Sequence, residues 1–343
     1  MEDDLTIVIY GAGAIGATIG GWLSSEYDNV YLLSRGENAR RMKEKGVVLY
    51  KEKKENAETI PVKVIEDLNE LTSIDIIMIC VKIYDLENAA KDIASKCGDK
   101  PIIIGLQNGL ENRKILPKYF SKVIYAVILM GTWQDEPGIF GFNDKGQLIL
   151  GVKQENLQPE LEKIALVLKK ALNIKMEKNI EDPAHSKLVI NLGNALFTLV
   201  NIREVENKNI TKIRKMSAGL LVEGLNLIQA AGFKPHRLKG YPSWSVIKAS
   251  QKAPDKIGNK VFLNTVEKTW RNTMVQDMIL RKKNKSELEY LNGYMLNLAD
   301  SIGFDMPYNR TIYELCKVQF SKTPFEPLPV EVVWDKVQEK LKK

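Results

Sequence analysis

The chain has 343 residues, 44% hydrophobic and 27% charged, which is typical of a soluble globular protein long enough for two domains. Its net charge of +7 is spread along the sequence and is not gathered in a basic patch with interleaved aromatics, so we expect anionic small molecules, and no nucleic acid, as partners. Three cysteines without a CxxC pair and only two histidines argue against a metal site. No signal peptide, long apolar run or lipidation motif is recognised, so we expect a cytoplasmic protein without a membrane segment.

The most informative motif lies near the start of the chain. Residues 5–23 read LTIVIYGAGAIGATIGGWL, an apolar run followed by a GxGxxG motif and a helical pattern of small residues. In such a strand–turn–helix unit the first glycine makes the turn, the second lets the backbone approach a pyrophosphate, and the third lets helix and strand pack closely. The alternative is a glycine-rich turn without a ligand. The predicted dinucleotide-binding residues are Gly11, Ala12, Gly13, Ala14, Ile15 and Gly16.

The residues after the second predicted strand, 29–33, bear on the choice of cofactor. An NAD-binding protein usually carries Asp or Glu about 20 residues past the glycines, where it holds the ribose 2′-hydroxyl. This chain has Ser34-Arg35-Gly36 there. Because a guanidinium can bind a 2′-phosphate through two hydrogen bonds, the sequence favours NADPH over NADH, with Arg35 as the phosphate ligand. The alternative is that Arg35 is a surface residue at the start of a helix.

Strands and helices alternate through the first half of the chain. Further strands are predicted at 62–65, 75–81, 101–105, 123–129 and 147–150, and helices at 15–25, 37–46, 85–95 and 111–117. This alternation predicts a Rossmann-type α/β domain with a doubly wound parallel sheet. Residues 131–146, with Pro137-Gly138, predict a hairpin or crossover at which the sheet stops being parallel. A helix at 157–171 and a strand at 173–177 complete the domain.

The pattern changes after Asp182-Pro183, where apolar or amphipathic helical stretches follow one another without a convincing strand. We therefore expect an NADP-binding Rossmann domain over 1–181 and an all-α domain over 182–343 that serves substrate binding or dimerisation. The sequence leaves open whether the chain is a monomer or a homodimer.

One helical stretch, 187–200, carries a narrow polar stripe. Its polar members are Lys187, Asn191, Asn194 and Thr198, which at 3.6 residues per turn fall within an arc of roughly 60°. A solvated face would be broader and richer in Glu and Lys, so the stripe predicts a polar cavity. A buried lysine with two carboxamides needs partners, which an anionic substrate would supply. The alternative is a buried polar network that joins two helices.

Several short motifs follow one another along nearly the whole chain. They are Gly11-Ala-Gly-Ala-Ile-Gly16, Val81-Lys82-x-Tyr84-Asp85, Leu106-Gln107-Asn108-Gly109, Lys187-Leu188-x-x-Asn191, Thr273-Met274-x-Gln276-Asp277, Glu287-Leu-Glu-Tyr-Leu-Asn-Gly293 and Pro307-x-Asn309-Arg310-Thr-x-Tyr313-Glu. In this order and spacing they resemble the ketopantoate reductase family. The resemblance implies a Rossmann domain followed by a helical domain, with NADPH and a 2-keto acid in the cleft between them.

The resemblance also implies roles for individual residues. Lys187 matches the family's catalytic lysine and Glu287 its substrate-site glutamate, while Asn108 matches the asparagine between nicotinamide and substrate. The residues implied to hold the keto acid are Asn191 and Thr273, and those implied to bind the adenosine phosphate end are Arg35 and Lys82.

The chain departs from the family at three places. The second helix asparagine usually lies eight residues after the lysine, whereas here position 195 is alanine and Asn194 comes at seven, so we place Asn194 in the substrate site. The stretch between Asp277 and Glu287 is longer than usual, and His185-Ser186 precede the lysine where a tryptophan is common. These changes leave the identity of the keto acid open.

Reducing a ketone by hydride transfer forms an alkoxide, which needs a proton and a positive charge close by. The Lys187 ammonium supplies both, and Glu287 can orient the substrate by accepting a hydrogen bond from its hydroxyl. Two simpler interpretations stay open. Asn284-x-x-Glu287 is also a capping-box pattern, and Asn108 stands in an Asn-Gly pair of the kind found in turns.

We therefore predict an NADPH-dependent reductase of a 2-keto acid, with ketopantoate as the leading substrate. One alternative keeps the architecture and changes the substrate, as in opine or 3-hydroxyacid dehydrogenases. The other is a sensor that binds NADPH without turnover. The presence of both Lys187 and Glu287 argues against the sensor, because binding alone requires neither residue.

Overall fold

The computed structural model describes residues 5–283 and 285–342, except for the side chain of Lys268. It divides into two compact units, Met1–Ile180 and Glu181–Lys343. In the described part of the chain the first unit combines strands and helices, and the second contains helices without strands. This agrees with the predicted fold class, an α/β unit followed by a helical one. Nowhere in the described ranges does a helix combine the length and apolar character needed to cross a membrane.

Strands and helices alternate in the first unit. The strands are β1 (Ile7–Tyr10), β2 (Val30–Leu33), β3 (Val47–Lys51), β4 (Glu58–Ile60), β5 (Lys63–Ile65), β6 (Ile76–Ile79), β7 (Ile102–Gly105), β8 (Val123–Ile128), β9 (Thr132–Glu136), β10 (Ile139–Phe142), β11 (Leu148–Val152) and β12 (Ile174–Met176). The helices are α1 (Ala14–Ser24), α2 (Gly36–Lys45), α3 (Leu86–Cys97), α4 (Asn112–Ile115) and α5 (Gln158–Lys169).

Eight strands form the main sheet, in the order β12-β11-β8-β7-β6-β1-β2-β5. The strands from β8 to β5 in this order are parallel, and the sheet stops being parallel where β8 meets β11. Ile7, Val8 and Ile9 of β1 are fully buried, as expected for a parallel sheet with both faces covered. Because β2 and β6 flank β1 on opposite sides, the strand order reverses at β1.

A second sheet, in the order β4-β3-β10-β9, lies outside the sequence prediction. The 131–146 region supplies β9 and β10 as an antiparallel hairpin, so the predicted hairpin is confirmed. β3 pairs in parallel with β10, with Val48 opposite Ile139. β3 and β4 were missed although they pair locally as an antiparallel hairpin and β3 is an apolar run; only the parallel pairing of β3 with β10 is long-range.

The second unit is helical in its described part. Its helices are α6 (Glu181–Asn191), α7 (Gly193–Leu199), α8 (Ile210–Ala230), α9 (Trp244–Lys252), α10 (Asp255–Thr269), α11 (Thr273–Val275), α12 (Tyr294–Ser301), α13 (Pro307–Phe320) and α14 (Val330–Leu341). Two wider π-helical turns, Gln276–Leu280 and Glu289–Gly293, lie between α11 and α12.

The single helix predicted over 187–200 is interrupted at Leu192, so that prediction is wrong in this detail. The Leu192 N–H is shared between the carbonyls of Leu188 and Val189, at 3.1 and 3.2 Å. The Leu192 carbonyl accepts a hydrogen bond from the buried Asn292 amide at 3.3 Å, and Gly193, a poor helix former, follows. Leu192 keeps helical dihedral angles, so the interruption is local.

Candidate functional site

The glycine motif forms the turn between β1 and α1. Gly11 has a φ of +98°, which favours glycine. A Cβ atom at Gly16 would collide with the carbonyl oxygen of Gly11, so the third glycine allows the helix to start close to the turn. A Cβ at Gly13, by contrast, would meet none of the described residues within 4 Å. The fold itself therefore requires glycine at 11 and 16, whereas the space beside Gly13 is open to a ligand.

The N-terminus of α1 is suited to an anion. Gly13 is its N-cap and offers no side-chain acceptor, and the first turn contains no acidic residue. The first-turn N–H groups of Ala14, Ile15 and Gly16 thus lack an intrahelical acceptor, and the helix dipole adds positive potential. A pyrophosphate fits this set of donors.

Asn38 of α2 fastens the glycine turn to the second sheet. Its Nδ2 donates to the carbonyl of Ala12 at 2.7 Å. Its Oδ1 accepts hydrogen bonds from the N–H of Gly138 at 2.9 Å and from Nε2 of Gln134 at 3.1 Å, both in the β9–β10 hairpin region. Sequence reasoning did not find this residue, because its partners depend on a sheet that was not predicted.

The other predicted cofactor residues lie at the same edge of the main sheet. Arg35 follows β2, Lys82 follows β6 and Asn108 follows β7. Because these strands run parallel to β1, their carboxyl ends lie at the same edge of the sheet as the end of β1, which Gly11 follows. In doubly wound sheets, ligands bind at this edge, at the point where the strand order reverses.

Arg35 is exposed, and its Nε lies 3.4 Å from the carbonyl oxygen of Glu66. It is also close enough to Asp67 to influence it: the pKa of this carboxyl is lowered chiefly by its hydrogen bond with Lys96, and to a smaller extent by the charge of Arg35. The Lys96 ammonium lies 2.6 Å from Asp67 and 2.8 Å from Asp92. Lys96 therefore offsets part of the negative charge of these two carboxylates, and the Arg35 guanidinium is exposed to an anionic ligand.

Arg40, which follows in α2, is differently placed. Its guanidinium contacts Glu37 at 2.6 Å and Glu44 at 2.9 Å, both on its own helix. With two carboxylates already paired to it, Arg40 is a weaker candidate for binding phosphate than Arg35.

Gln107 fixes the position of Asn108. It is buried, and its Nε2 donates to the carbonyls of Ile79 and Val81 at 2.6 and 3.3 Å, which ties the end of β7 to the end of β6. Gly109 has a φ of +91°, so the Asn-Gly pair does form a turn. A turn at this pair does not exclude a ligand-binding role for the half-buried Asn108 side chain. A role in the turn alone would also not explain why Gln107 holds the end of β7 against the end of β6.

The polar stripe of 187–200 divides into two parts. Thr198 is fully buried, and its hydroxyl donates to the carbonyl of Asn194 at 2.8 Å, so this residue is satisfied within its own helix and does not face a polar cavity. Asn191 is also buried, but its Nδ2 has no hydrogen-bond partner among the described residues. Lys187 and Asn194 are half-buried. Of the four residues of the stripe, Lys187, Asn191 and Asn194 therefore remain candidates for lining the predicted polar cavity.

Lys187 has a partner that the sequence did not indicate. Its Nζ donates to the hydroxyl of Tyr241 at 2.6 Å and lies 4.5 Å from the centre of the same ring. Tyr241 comes from the segment between α8 and α9. No motif or spacing connects it with the lysine, because the contact depends on how this segment folds back along α6.

Thr273 and Asn272 contribute further polar atoms to the candidate site of the second unit. Asn272 caps α11, since its Oδ1 accepts hydrogen bonds from the N–H groups of Met274 and Val275, both at 3.0 Å. The Nδ2 of Asn272 and the hydroxyl of Thr273 are buried and find no partner in the described ranges. α11 packs against α7, the helix that carries Asn194. Since an unsatisfied buried polar atom costs about 1–3 kcal/mol, these groups are suited to a polar ligand.

Glu287 is buried, with 2% of its surface exposed. The segment that follows it is attached to the end of α6, because Asn292 donates to the Leu192 carbonyl at the α6–α7 junction. The structure thus links the Glu287 segment to the helix that carries both Lys187 and Asn191. The alternative capping box involves Asn284, which lies outside the described residues.

Family models and relatives match most of the chain. The family model described as ketopantoate reductase PanE/ApbA matches residues 7–155, and the model for the C-terminal part of the same family matches residues 179–319. A 2-dehydropantoate 2-reductase from Pyrococcus abyssi is 24% identical over 319 residues, covering 91% of this chain and 97% of the relative.

Solved structures share the fold. A PanE/ApbA family ketopantoate reductase from Ralstonia eutropha JMP134 superposes with a TM-score of 0.69 at 22% identity, covering 97% of this chain and 99% of its own. A D-mandelate dehydrogenase in complex with NADH and anilino(oxo)acetate gives a TM-score of 0.73 at 20% identity, with the same coverage. At these identities the likeness shows the fold and leaves cofactor and substrate open.

Proposed function

Because the chain belongs to the ketopantoate reductase family, we propose that it reduces a 2-keto acid with NADPH, and that ketopantoate is its principal substrate. The family consists of oxidoreductases. The assignment of a 2-keto acid, and of ketopantoate in particular, rests on residues of the second unit. The observation that carries it is that a half-buried lysine and a buried glutamate lie on two segments joined by the Asn292–Leu192 hydrogen bond. An ammonium and a carboxylate held this way suit a ketone that also bears a hydroxyl.

The first unit supplies the groups that would hold the dinucleotide. The open side of Gly13 and the first-turn N–H groups of α1 fit the pyrophosphate, Arg35 and Lys82 fit the adenosine phosphate end, and Asn108 fits the nicotinamide end. When bound, the reduced nicotinamide supplies a hydride to the ketone carbon. Preference for NADPH follows from the charge of Arg35, since no carboxylate follows β2 directly.

The second unit supplies the proton and the orientation. As the carbonyl carbon gains the hydride, its oxygen takes a proton from the Lys187 ammonium, which becomes a neutral amine. The buried donors of Asn191 and Thr273, with Asn194, suit the carboxylate and carbonyl oxygens of the substrate. Glu287 accepts a hydrogen bond from the substrate hydroxyl and so orients the molecule for reduction.

The experiment that tests this proposal is a substrate comparison with the Glu287→Gln variant. We expect the parent protein to oxidise NADPH fastest with ketopantoate, slower with 2-oxoisovalerate, which lacks the hydroxyl, and slower still with phenylglyoxylate. Glu287→Gln should lower kcat/KM for ketopantoate by about 10–100-fold and change the value for 2-oxoisovalerate by much less, because the interaction removed exists only with the hydroxyl.

Three results would each overturn a different part of the proposal. If the parent shows no preference for the hydroxylated keto acid, ketopantoate is the wrong substrate although the reductase activity stands. If no 2-keto acid supports NADPH oxidation, the enzyme assignment fails. If Glu287 only stabilises the helical segment on which it lies, the Glu287→Gln protein should lose about 1 kcal/mol of stability and should keep the parent's order of substrates.

A further inference from the structure

Among the described residues, Tyr241 is the one whose side chain accepts a hydrogen bond from the Lys187 ammonium. The Nζ–Oη distance is 2.6 Å and the ring centre lies 4.5 Å from Nζ, so the ammonium lies at the hydroxyl end of the tyrosine and contacts its oxygen. A hydrogen bond from a charged donor is among the stronger ones in proteins. In the described ranges the Tyr241 side chain has no other hydrogen-bond partner, so the contact with Lys187 is its specific interaction.

The fold holds Tyr241 at this place. The segment between α8 and α9 follows one side of α6, where Asp182 accepts a hydrogen bond from the N–H of Lys234 and Ser186 accepts one from the N–H of His236, both at 2.8 Å. A turn with Gly240 at a φ of +84° then brings Tyr241 to Lys187, with the Tyr241 N–H 3.3 Å from the carbonyl of Leu238. The tyrosine is therefore positioned by backbone contacts that do not involve the lysine.

The ring of Phe233 strengthens this attachment. It stacks on the buried His185 imidazole with 3.5 Å between ring centres and 16° between planes. His185 and Ser186 thus anchor the segment that carries Tyr241.

We propose that Tyr241 is a positioning residue for Lys187, which holds the ammonium in the direction from which it protonates the substrate carbonyl. An ammonium has three N–H groups, and one of them given to a fixed hydroxyl orients the remaining two. A lysine side chain otherwise retains many rotamers, of which few place the proton correctly. This inference rests on the proposed function, since it assigns Lys187 the role of proton donor.

The kinetic test compares Tyr241→Phe and Tyr241→Ala in two backgrounds. Tyr241→Phe keeps the ring and should lower kcat by about tenfold, and Tyr241→Ala, which loses ring and oxygen, by about fiftyfold, while KM for the keto acid and the affinity for NADPH stay within about twofold. In a Lys187→Ala background, Tyr241→Phe should have no further effect on kcat, because it acts through the lysine. Tyr308→Phe, which also removes a ring hydroxyl in the second unit, is the control and should match the parent.

A second measurement does not depend on turnover. Competitive trace acetylation followed by mass spectrometry reports how readily the Lys187 amine reacts, relative to the other lysines of the same sample. We expect Tyr241→Phe to raise the relative labelling of Lys187 by at least about threefold, because the hydroxyl no longer holds the amine. This result is expected even if no keto acid is reduced, so a failure of the proposed function is recognised separately.

Three outcomes would overturn the inference. The first is a Tyr241→Phe protein with parental kcat, and the second is a full additional loss when Tyr241→Phe is combined with Lys187→Ala. The third is unchanged labelling of Lys187 in Tyr241→Phe. Should Tyr241→Ala fail to fold, the Phe variant, which keeps the packing of the ring, decides alone.

Discussion

The two units build their candidate sites in different ways. In the first unit the groups that suit a dinucleotide come from the backbone of one contiguous turn, Gly11 to Gly16, and from residues directly after neighbouring parallel strands. In the second unit they are side chains from segments far apart in sequence, such as Lys187, Tyr241 and Glu287. A site made by local backbone is readable from a motif, whereas a site made by long-range side-chain contacts requires the structure.

The largest expected effect concerns Lys187, on which the second site depends. Lys187→Ala should lower kcat by about 10²–10⁴, the usual range for the loss of a general acid. The melting temperature should change by less than about 2 °C or rise, because the lysine makes one side-chain hydrogen bond and its half-buried charge is removed. NADPH oxidation and thermal unfolding measure the two quantities.

Lys215→Ala on α8 is the matched control, since this lysine is 43% exposed and should be dispensable. A Lys187→Ala protein with near-parental turnover, or one that does not fold, would show that the polar stripe is a structural network, which was the alternative left open by the sequence.

A pair of glycine variants separates ligand binding from folding in the first unit. Gly13→Val adds a side chain where the described residues leave open space, so we expect the parent's stability and an NADPH affinity lowered by about tenfold or more. Gly16→Ala places a Cβ against the Gly11 carbonyl, so we expect a stability loss of about 1–3 kcal/mol. Urea unfolding and fluorescence titration with NADPH measure both. Equal stability losses in the two variants would contradict this division of roles.

Arg35 should account for the choice of dinucleotide. We expect the parent to bind NADPH at least about tenfold more tightly than NADH, and Arg35→Ala to remove most of this difference, because a lost bidentate phosphate contact is worth about 1.5–3 kcal/mol. Arg40→Ala is the control, since Arg40 is paired with Glu37 and Glu44, and it should keep the preference. Equal affinities of the parent for the two cofactors would refute the proposal.

The comparison also explains how far the sequence could predict the fold. Apolar runs predicted the strands of the main sheet, because strands of a sheet that is covered on both faces are apolar along their length. The hairpin of β3 and β4 was missed although it pairs locally, whereas the pairing of Val48 with Ile139 that joins it to β10 is one that no local pattern reveals. The break at Leu192 was missed because its hydrogen-bond partner Asn292 is a hundred residues away.

The candidate residues follow the same rule. Periodicity placed Thr198 with Lys187 and Asn191 on one side of a helix, but periodicity does not show that the Thr198 hydroxyl bonds to its own helix. Asn38 and Gln107 act by holding the backbone of neighbouring turns, and their partners are carbonyls and N–H groups, which have no sequence signature. The role of each candidate residue remains a proposal that the variants above test.

The smallest expected effect concerns another long-range contact of the second unit, that between Glu223 of α8 and the start of α13. The carboxylate accepts hydrogen bonds from the N–H groups of Tyr308 and Asn309 at 2.8 and 3.0 Å, yet burial dominates and raises the pKa of Glu223 to about 7. Between its ordinary pKa of 4.5 and about 7, the folded protein therefore holds a proton that the unfolded chain has released. The free energy of unfolding should fall as the pH rises through this window, and this group should add no further change above it.

Glu223→Gln cannot titrate, so the stability of the parent relative to this variant should decrease from about pH 5 to about pH 8 in urea unfolding. Glu331→Gln is the control. The pKa of this half-buried carboxyl at the start of α14 is lowered, first by a backbone N–H and then by the Asn209 amide, so it stays ionised across the same range. The stability of the parent relative to Glu331→Gln should therefore not change with pH. If the difference in unfolding free energy between the parent and Glu223→Gln is also independent of pH, the Glu223 carboxyl is ionised throughout this range. Its hydrogen bonds to the start of α13 would then outweigh the effect of its burial on the pKa.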